Sequence, residues 1–195
     1  MKLLFGNGYN DRKYQVFKNK RPTREYDLWH SMLKRCYDKK THLVRPTYKN
    51  TEMSEKFKSY TYFHEWCQEQ IGFSNTNFSM DKDLITKGNK IYSEDSCLFV
   101  PYDINGCLTK ADDVRGDYPI GVHFSVRNKI NPYKAEISIR KKKISLGYYD
   151  CPIKAFNAYK IAKERHIKDL AERYRHCIDP KAYLALMNYS VEITD

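Results

Sequence analysis

The chain has 195 residues, with 35 Lys and Arg against 24 Asp and Glu and a formal net charge of +11. That surplus argues against a cationic partner and favours a polyanion, because each phosphate neutralised by a lysine or arginine releases condensed counterions. The 17 tyrosines and the moderate apolar content supply a packed core, which excludes a disordered polyelectrolyte.

The six cysteines, Cys36, Cys67, Cys97, Cys107, Cys151 and Cys177, form no C-x-x-C pair. They read as reduced core thiols of a cytosolic protein and not as a zinc or disulfide framework. The opening MKLLFGNGY carries too short an apolar run for a signal peptide, and no run approaches membrane-spanning length. The expectation is a soluble cytoplasmic protein with no membrane partner.

Residues 1–22 are irregular or weakly strand-like, with Gly6 and Gly8 as breakers. Thr23 is a cap residue opening a helix in which Tyr26, Trp29, Leu33, Cys36 and Tyr37 recur at three- and four-residue steps. Arg45, Pro46 and Thr47 mark a loop. A second helix is expected over 59–70, with Tyr60, Phe63 and Cys67 on one face, ended by Gly72.

From Phe78 the period changes to two. Phe78, Met80 and Leu84 suggest a short strand, Lys87, Gly88 and Asn89 a turn, and 96–100 a second strand. Pro101 is expected to open a short helix with Ile104, Leu108 and Ala111 on its apolar side. The polar stretch 111–117 is the best candidate linker.

A compact pattern follows. Val122, Phe124 and Val126 alternate with His123, Ser125 and Arg127. After a turn over 128–132, Tyr133, Ala135, Ile137 and Ile139 alternate with Lys134, Glu136, Ser138 and Arg140. Lys141 and Lys142 make a tight turn, after which Ile144 and Leu146 alternate with Lys143 and Ser145. This is a three-stranded antiparallel meander with one apolar and one charged face. A long helix over 152–174 would cover the apolar face, through Ala155, Ala158, Tyr159, Ala162, His166 and Leu170. A last helix is expected over 180–187. The fold class is therefore α+β, with N-terminal helices and a strand–loop–strand–helix unit followed by a three-stranded sheet on a long helix.

The meander carries a resemblance. Gly121 and Val122, then Tyr133, Ala135, Glu136 and Ile137, then Leu146, Gly147 and Tyr148, then Ala155, Ala158 and Tyr159 match the AP2 DNA-binding domain in order and spacing over about 118–175. The resemblance implies a sheet lying in the major groove of double-stranded DNA. By position it assigns His123, Ser125, Glu136, Ser138, Lys143 and Ser145 to DNA. Alternation alone puts these on the same open face as Arg127, Lys134 and Arg140. Arginine and lysine suit phosphate or guanine, and a glutamate accepts from cytosine. Where plant-type members carry arginines and a tryptophan, this chain has His123, Ser125, Ser138 and Ser145.

The segment DKDLITKGNK, residues 81–90, with Ser96 and Asn105 after it, resembles the core of HNH nucleases. Pieces around Trp29, Arg35, Pro46 and His64 and the tail from Val191 also resemble the phage family that joins an HNH-like region to an AP2 domain, known as homing-type endonucleases. The implied organisation is an HNH-like ββα region with flanking helices over 1–111, an AP2-like domain over 117–176, and a C-terminal helix and tail over 177–195. A phage-encoded chain of this kind works in the host cytoplasm.

In that family an Asp and an Asn or His hold one divalent ion at the scissile phosphate, and a His takes a proton from water. By position, Asp81 and Asn105 match the metal ligands and, as hard oxygen donors, suit Mg²⁺. Lys82 stands where the base belongs, and Ser96 where its orienting Asn belongs. Lys82 would act as a base if its pKa were depressed, or hold phosphate as a point charge. Asp83 is a second candidate base, and His42 and His64 are further ones from elsewhere in the fold. The plain alternative is that Asp81, Asp83 and Asn89 shape a polar turn. The first-ranked function is thus a metal-dependent DNA endonuclease. Its alternatives are a non-catalytic DNA-binding or regulatory protein on a degenerate HNH scaffold, and an interaction protein acting on a host factor.

Overall fold

The computed structural model describes residues 3–109, 117–193 and 195. Most of the expected linker therefore lies outside the described residues. The fold is mixed α+β with small sheets. The chain forms two compact units, Met1–Tyr102 with Cys177–Ala182, and Asp103–His176 with Tyr183–Asp195.

The first unit opens with a hairpin of β1 (Phe17–Lys18) and β2 (Arg21–Pro22), turned by Asn19 and Lys20 at φ +53° and +61°. Helix α1 (Arg24–Tyr37) starts at Thr23, whose hydroxyl accepts from the Tyr26 amide as the sequence predicts. Its 3.6-residue stripe buries Trp29, Met32, Leu33 and Cys36 against α3 (Tyr60–Glu69) and β3 (Glu52–Met53). From α3 come Phe63 and Trp66, which pack with Phe57 at ring separations of 5.2 and 4.8 Å. The Trp29 indole donates to the Phe57 carbonyl at 2.8 Å, so the buried ring leaves no orphan donor.

Between them lies an element the sequence reading passed over, α2 (Lys39–Val44), capped by Asp38, whose carboxylate accepts from the Lys40 and Thr41 amides. It buries no side chain, and Leu43 and Val44 are exposed. A helix with no core-facing stripe leaves no period to detect. The expected loop at Arg45 is followed by a 3₁₀ turn, Pro46–Tyr48.

Strand β4 (Phe78–Asp81) pairs antiparallel with β6 (Leu98–Pro101), and β5 (Ile91–Tyr92) pairs parallel with β3. Two expectations change here. Leu84 is buried in the loop after β4 and not in the strand. Pro101 ends β6 opposite Phe78, and α4 (Tyr102–Leu108) starts one residue later. A proline at a strand end loses no ladder bond, so its fixed φ serves the strand as well as a first helical turn.

In the second unit, β7 (Val122–Phe124), β8 (Tyr133–Ile139) and β9 (Lys142–Tyr149) form an antiparallel sheet in the order of the sequence. Helix α5 (Pro152–Tyr174) packs on all three strands, and α6 (Pro180–Met187) follows it in sequence, both with the predicted bounds. The shared core holds Val122, Ala135, Ile137, Ala155, Phe156, Tyr159 and Val191. The helix stripe differs from the expected row. Phe156 and Ile167 are buried, whereas His166 is only half-buried. Strand β7 also ends sooner than the alternation suggests, and Val126, expected inward, is 79% exposed.

Candidate nucleic-acid interface

Side chains of β8 alternate between the two faces. Ala135 and Ile137 turn to α5 and are essentially inaccessible. Lys134, Glu136 and Ser138 therefore occupy the opposite face. The register sets His123 and Tyr148 on either side of Lys134, Ser145 beside Glu136, and Lys143 beside Ser138. Directly paired residues share a face. Six of the nine residues predicted for DNA thus stand together: His123, Lys134, Glu136, Ser138, Lys143 and Ser145.

The other three lie in turns. Ser125 and Arg127 fall in the 125–132 loop, closed by the Ser125 amide donating to the Pro132 carbonyl at 2.7 Å. Arg140 forms the β8–β9 turn with Lys141, at φ +50° and +64°. The turn was expected one residue later. Positive φ at both central residues is what a two-residue hairpin with the right strand twist requires.

Tyr148 is the residue the sequence reading missed. The β8–β9 register shifts between Ala135 and Glu136, so Ser145 pairs with Glu136 while Gly147 pairs with Ala135, and Leu146 has no opposite number. Strict alternation would put Gly147 on the open face and Tyr148 on the helix side. The bulge reverses that and leaves Tyr148 exposed beside Lys134. The signal was Gly147 itself, which adopts φ +122°.

Between 121 and 149 there are seven Lys and Arg and one acid, Glu136. That acid is tied on both sides. The Lys134 ammonium donates to its Oε2, and the Lys143 ammonium lies 3.3 Å from Oε1. The Lys134 hydrogen bond foremost, opposed by partial desolvation and aided by Lys143, holds the Glu136 carboxyl below the usual carboxylate range. Each ammonium keeps further N–H groups for an outside acceptor.

The nuclease-like segment is a closed loop. Asp81 ends β4, and its Oδ1 accepts from the Asp83 and Leu84 amides, both at 2.7 Å. Burial pushes its pKa up despite those bonds. Lys82 is 8% exposed. Its ammonium lies 2.5 Å from Asp83 Oδ1, donates to the Asn89 carbonyl, and sits 5.6 Å above the Tyr92 ring. Asn89 answers by donating to the carbonyls of Lys82 and Ile91 at 2.8 and 2.7 Å. The Ser96 hydroxyl donates to the Ile91 carbonyl at 2.8 Å. His42 Nε2 bonds the Arg35 carbonyl at 2.8 Å, and His64 stacks on Tyr14. Neither histidine hydrogen-bonds to Asp81.

For a divalent ion, Asp81 offers Oδ2, which accepts no hydrogen bond among the described residues, while Oδ1 is committed to the backbone. Asp81 belongs to the first unit and Asn105, on α4, to the second. Among the described residues no three His, Cys, Asp or Glu side chains cluster as a metal site. No helix among them is long and apolar enough to cross a membrane. Compared with protein-family models, curated proteins and solved structures, the chain finds no match.

Proposed function

We propose that this protein binds double-stranded DNA through the open face of β7–β9, in the manner of an AP2 domain, with the first unit built on an HNH-like scaffold of the phage type. The observation that carries this reading is the sheet itself. One face is consumed by α5, and the other presents His123, Lys134, Lys143, Ser138, Ser145 and Tyr148 with a single acid already neutralised by two lysines. Lysines supply phosphate contacts, and the serine and histidine groups reach base edges. Fluorescence anisotropy of a labelled duplex over a salt series tests it. Binding that weakens steeply with salt in wild type and is reduced in the Lys134→Ala/Lys143→Ala variant is expected. No association at low ionic strength would end the proposal.

A second reading, Mg²⁺-dependent phosphodiester hydrolysis, is supported by Asp81, whose Oδ2 accepts no hydrogen bond among the described residues at the end of β4. In it Asp81 would hold the ion, which would stabilise charge on the leaving oxygen. Lys82 and Asp83 are its candidate proton acceptors, and both are engaged with each other. Plasmid incubated with the protein and Mg²⁺ or Mn²⁺ is the trial. Nicking lost on Asp81→Asn supports hydrolysis. Intact binding with no nicking leaves a non-catalytic DNA-binding protein.

A further inference from the structure

The first unit holds a cleft of about 820 Å³ that neither reading uses. Tyr14, Lys18, Arg21, Arg24, Glu25 and His64 line it. Residues 12–24 carry six Lys and Arg and no acid.

Two of these cations are unlike the rest. Lys18 and Arg21 are direct cross-strand partners at the closed end of the β1–β2 hairpin, so their side chains leave on one face. Lys20 stands between them in the turn. Like charges directly opposite destabilise a strand pair. Among the described residues no acid pairs with Lys18, Lys20 or Arg21. Arg24, Lys13 and Glu25 are committed elsewhere. Arg24 donates to the Asn75 carbonyl at 2.8 Å and to the carbonyls of Phe73 and Phe78. Lys13 and Tyr14 donate to Glu65 at 2.6 and 2.9 Å. Glu25, the acid on the cleft wall, accepts from Gln68 at 2.9 Å. Also in the lining, Tyr14 stacks on His64 at 3.8 Å and 7°.

We infer that this hairpin and cleft form a second phosphate-binding site, which takes successive phosphates of a polynucleotide strand across Lys18, Lys20 and Arg21. A phosphate between Lys18 and Arg21 removes their mutual repulsion, which no acid among the described residues does. The adjacent Lys20 suits the next phosphate along a strand better than an isolated small anion. The site stands on the first unit alone and does not rest on the reading of the sheet.

Lysine acetylation footprinting of the full chain, read by mass spectrometry, tests it. The probes are an oligonucleotide duplex, its single strand, a mononucleotide and inorganic phosphate. Lys18 and Lys20 should be protected by the oligonucleotides, with exposed Lys40 and Lys49 as references, and protection should persist in Lys134→Ala/Lys143→Ala. In anisotropy, Lys18→Ala/Arg21→Ala should lower the salt slope by about 0.9, for the one phosphate held between them. The charge-keeping Lys18→Arg/Arg21→Lys variant should not. Unchanged acetylation of Lys18 and Lys20 beside protected Lys134 and Lys143 would overturn the site and leave the sheet reading standing. Equal protection by mononucleotide or inorganic phosphate at the same phosphate concentration would overturn the polynucleotide assignment.

Discussion

A β-carbon on Gly121 would stand 2.0 Å from the Tyr159 ring. Gly121 also holds φ +76°, in the left-handed region, immediately before β7. Steric and conformational demands therefore coincide where the sheet meets α5. Gly121→Ala should destabilise the second unit by about 3 kcal/mol, through overpacking and strain together. Thermal unfolding followed by circular dichroism reads this. A variant as stable as wild type would show that Tyr159 yields more readily than its packing in the core suggests.

Lys82 closes the 82–90 loop. Removing its ammonium leaves the Asn89 carbonyl without that donor and loosens the turn that Asn89 ties from the other side. Lys82→Met should cost about 2 kcal/mol, in the range for hydrogen bonds to charged groups. Amide exchange at Leu84 and Asn89 should quicken more than elsewhere in the first unit. An unchanged exchange pattern would mean that the lysine is dispensable to the loop.

The folded-state pKa of Glu136 is depressed, chiefly by Lys134 and then by Lys143. The stabilisation this supplies is present above the unfolded-state value, about 4.3, and is lost as pH falls through the lower folded value. Melting temperatures measured across the acid range should fall in that window for wild type. Glu136→Gln should flatten this limb. The same substitution releases both lysines, so its complex with duplex DNA should tighten at low salt.

Tyr148 shares the exposed face with Lys134 only because of the β-bulge. Tyr148→Ala should weaken duplex binding by about 1 kcal/mol, roughly fivefold in Kd, without lowering the melting temperature. Tyr149→Ala should do the reverse, because Tyr149 packs on the sheet–helix core and its hydroxyl donates to the Leu146 carbonyl at 3.1 Å. Equal effects of the two variants on DNA affinity would contradict the assigned faces.

Several elements were readable in the order of residues because their cause is local. The Thr23 cap and the Trp29 and Leu33 spacing specify α1. Alternation from Tyr133 to Ile139 specifies β8 and separates Lys134, Glu136 and Ser138 from Ala135 and Ile137. Other features depend on partners distant in the chain, and periodicity carries no record of them. The register of β9 against β8 decides that Tyr148 faces out. The Asn89 carbonyl and the Tyr92 ring decide that Lys82 is buried at the position where a nuclease base was expected. Hairpin pairing decides that Lys18 and Arg21 stand side by side. Side-chain period follows from geometry within one element, so composition and spacing determined a basic α+β chain with one charged sheet face. Register and loop closure depend on hydrogen bonds between segments, and these only the tertiary structure decided.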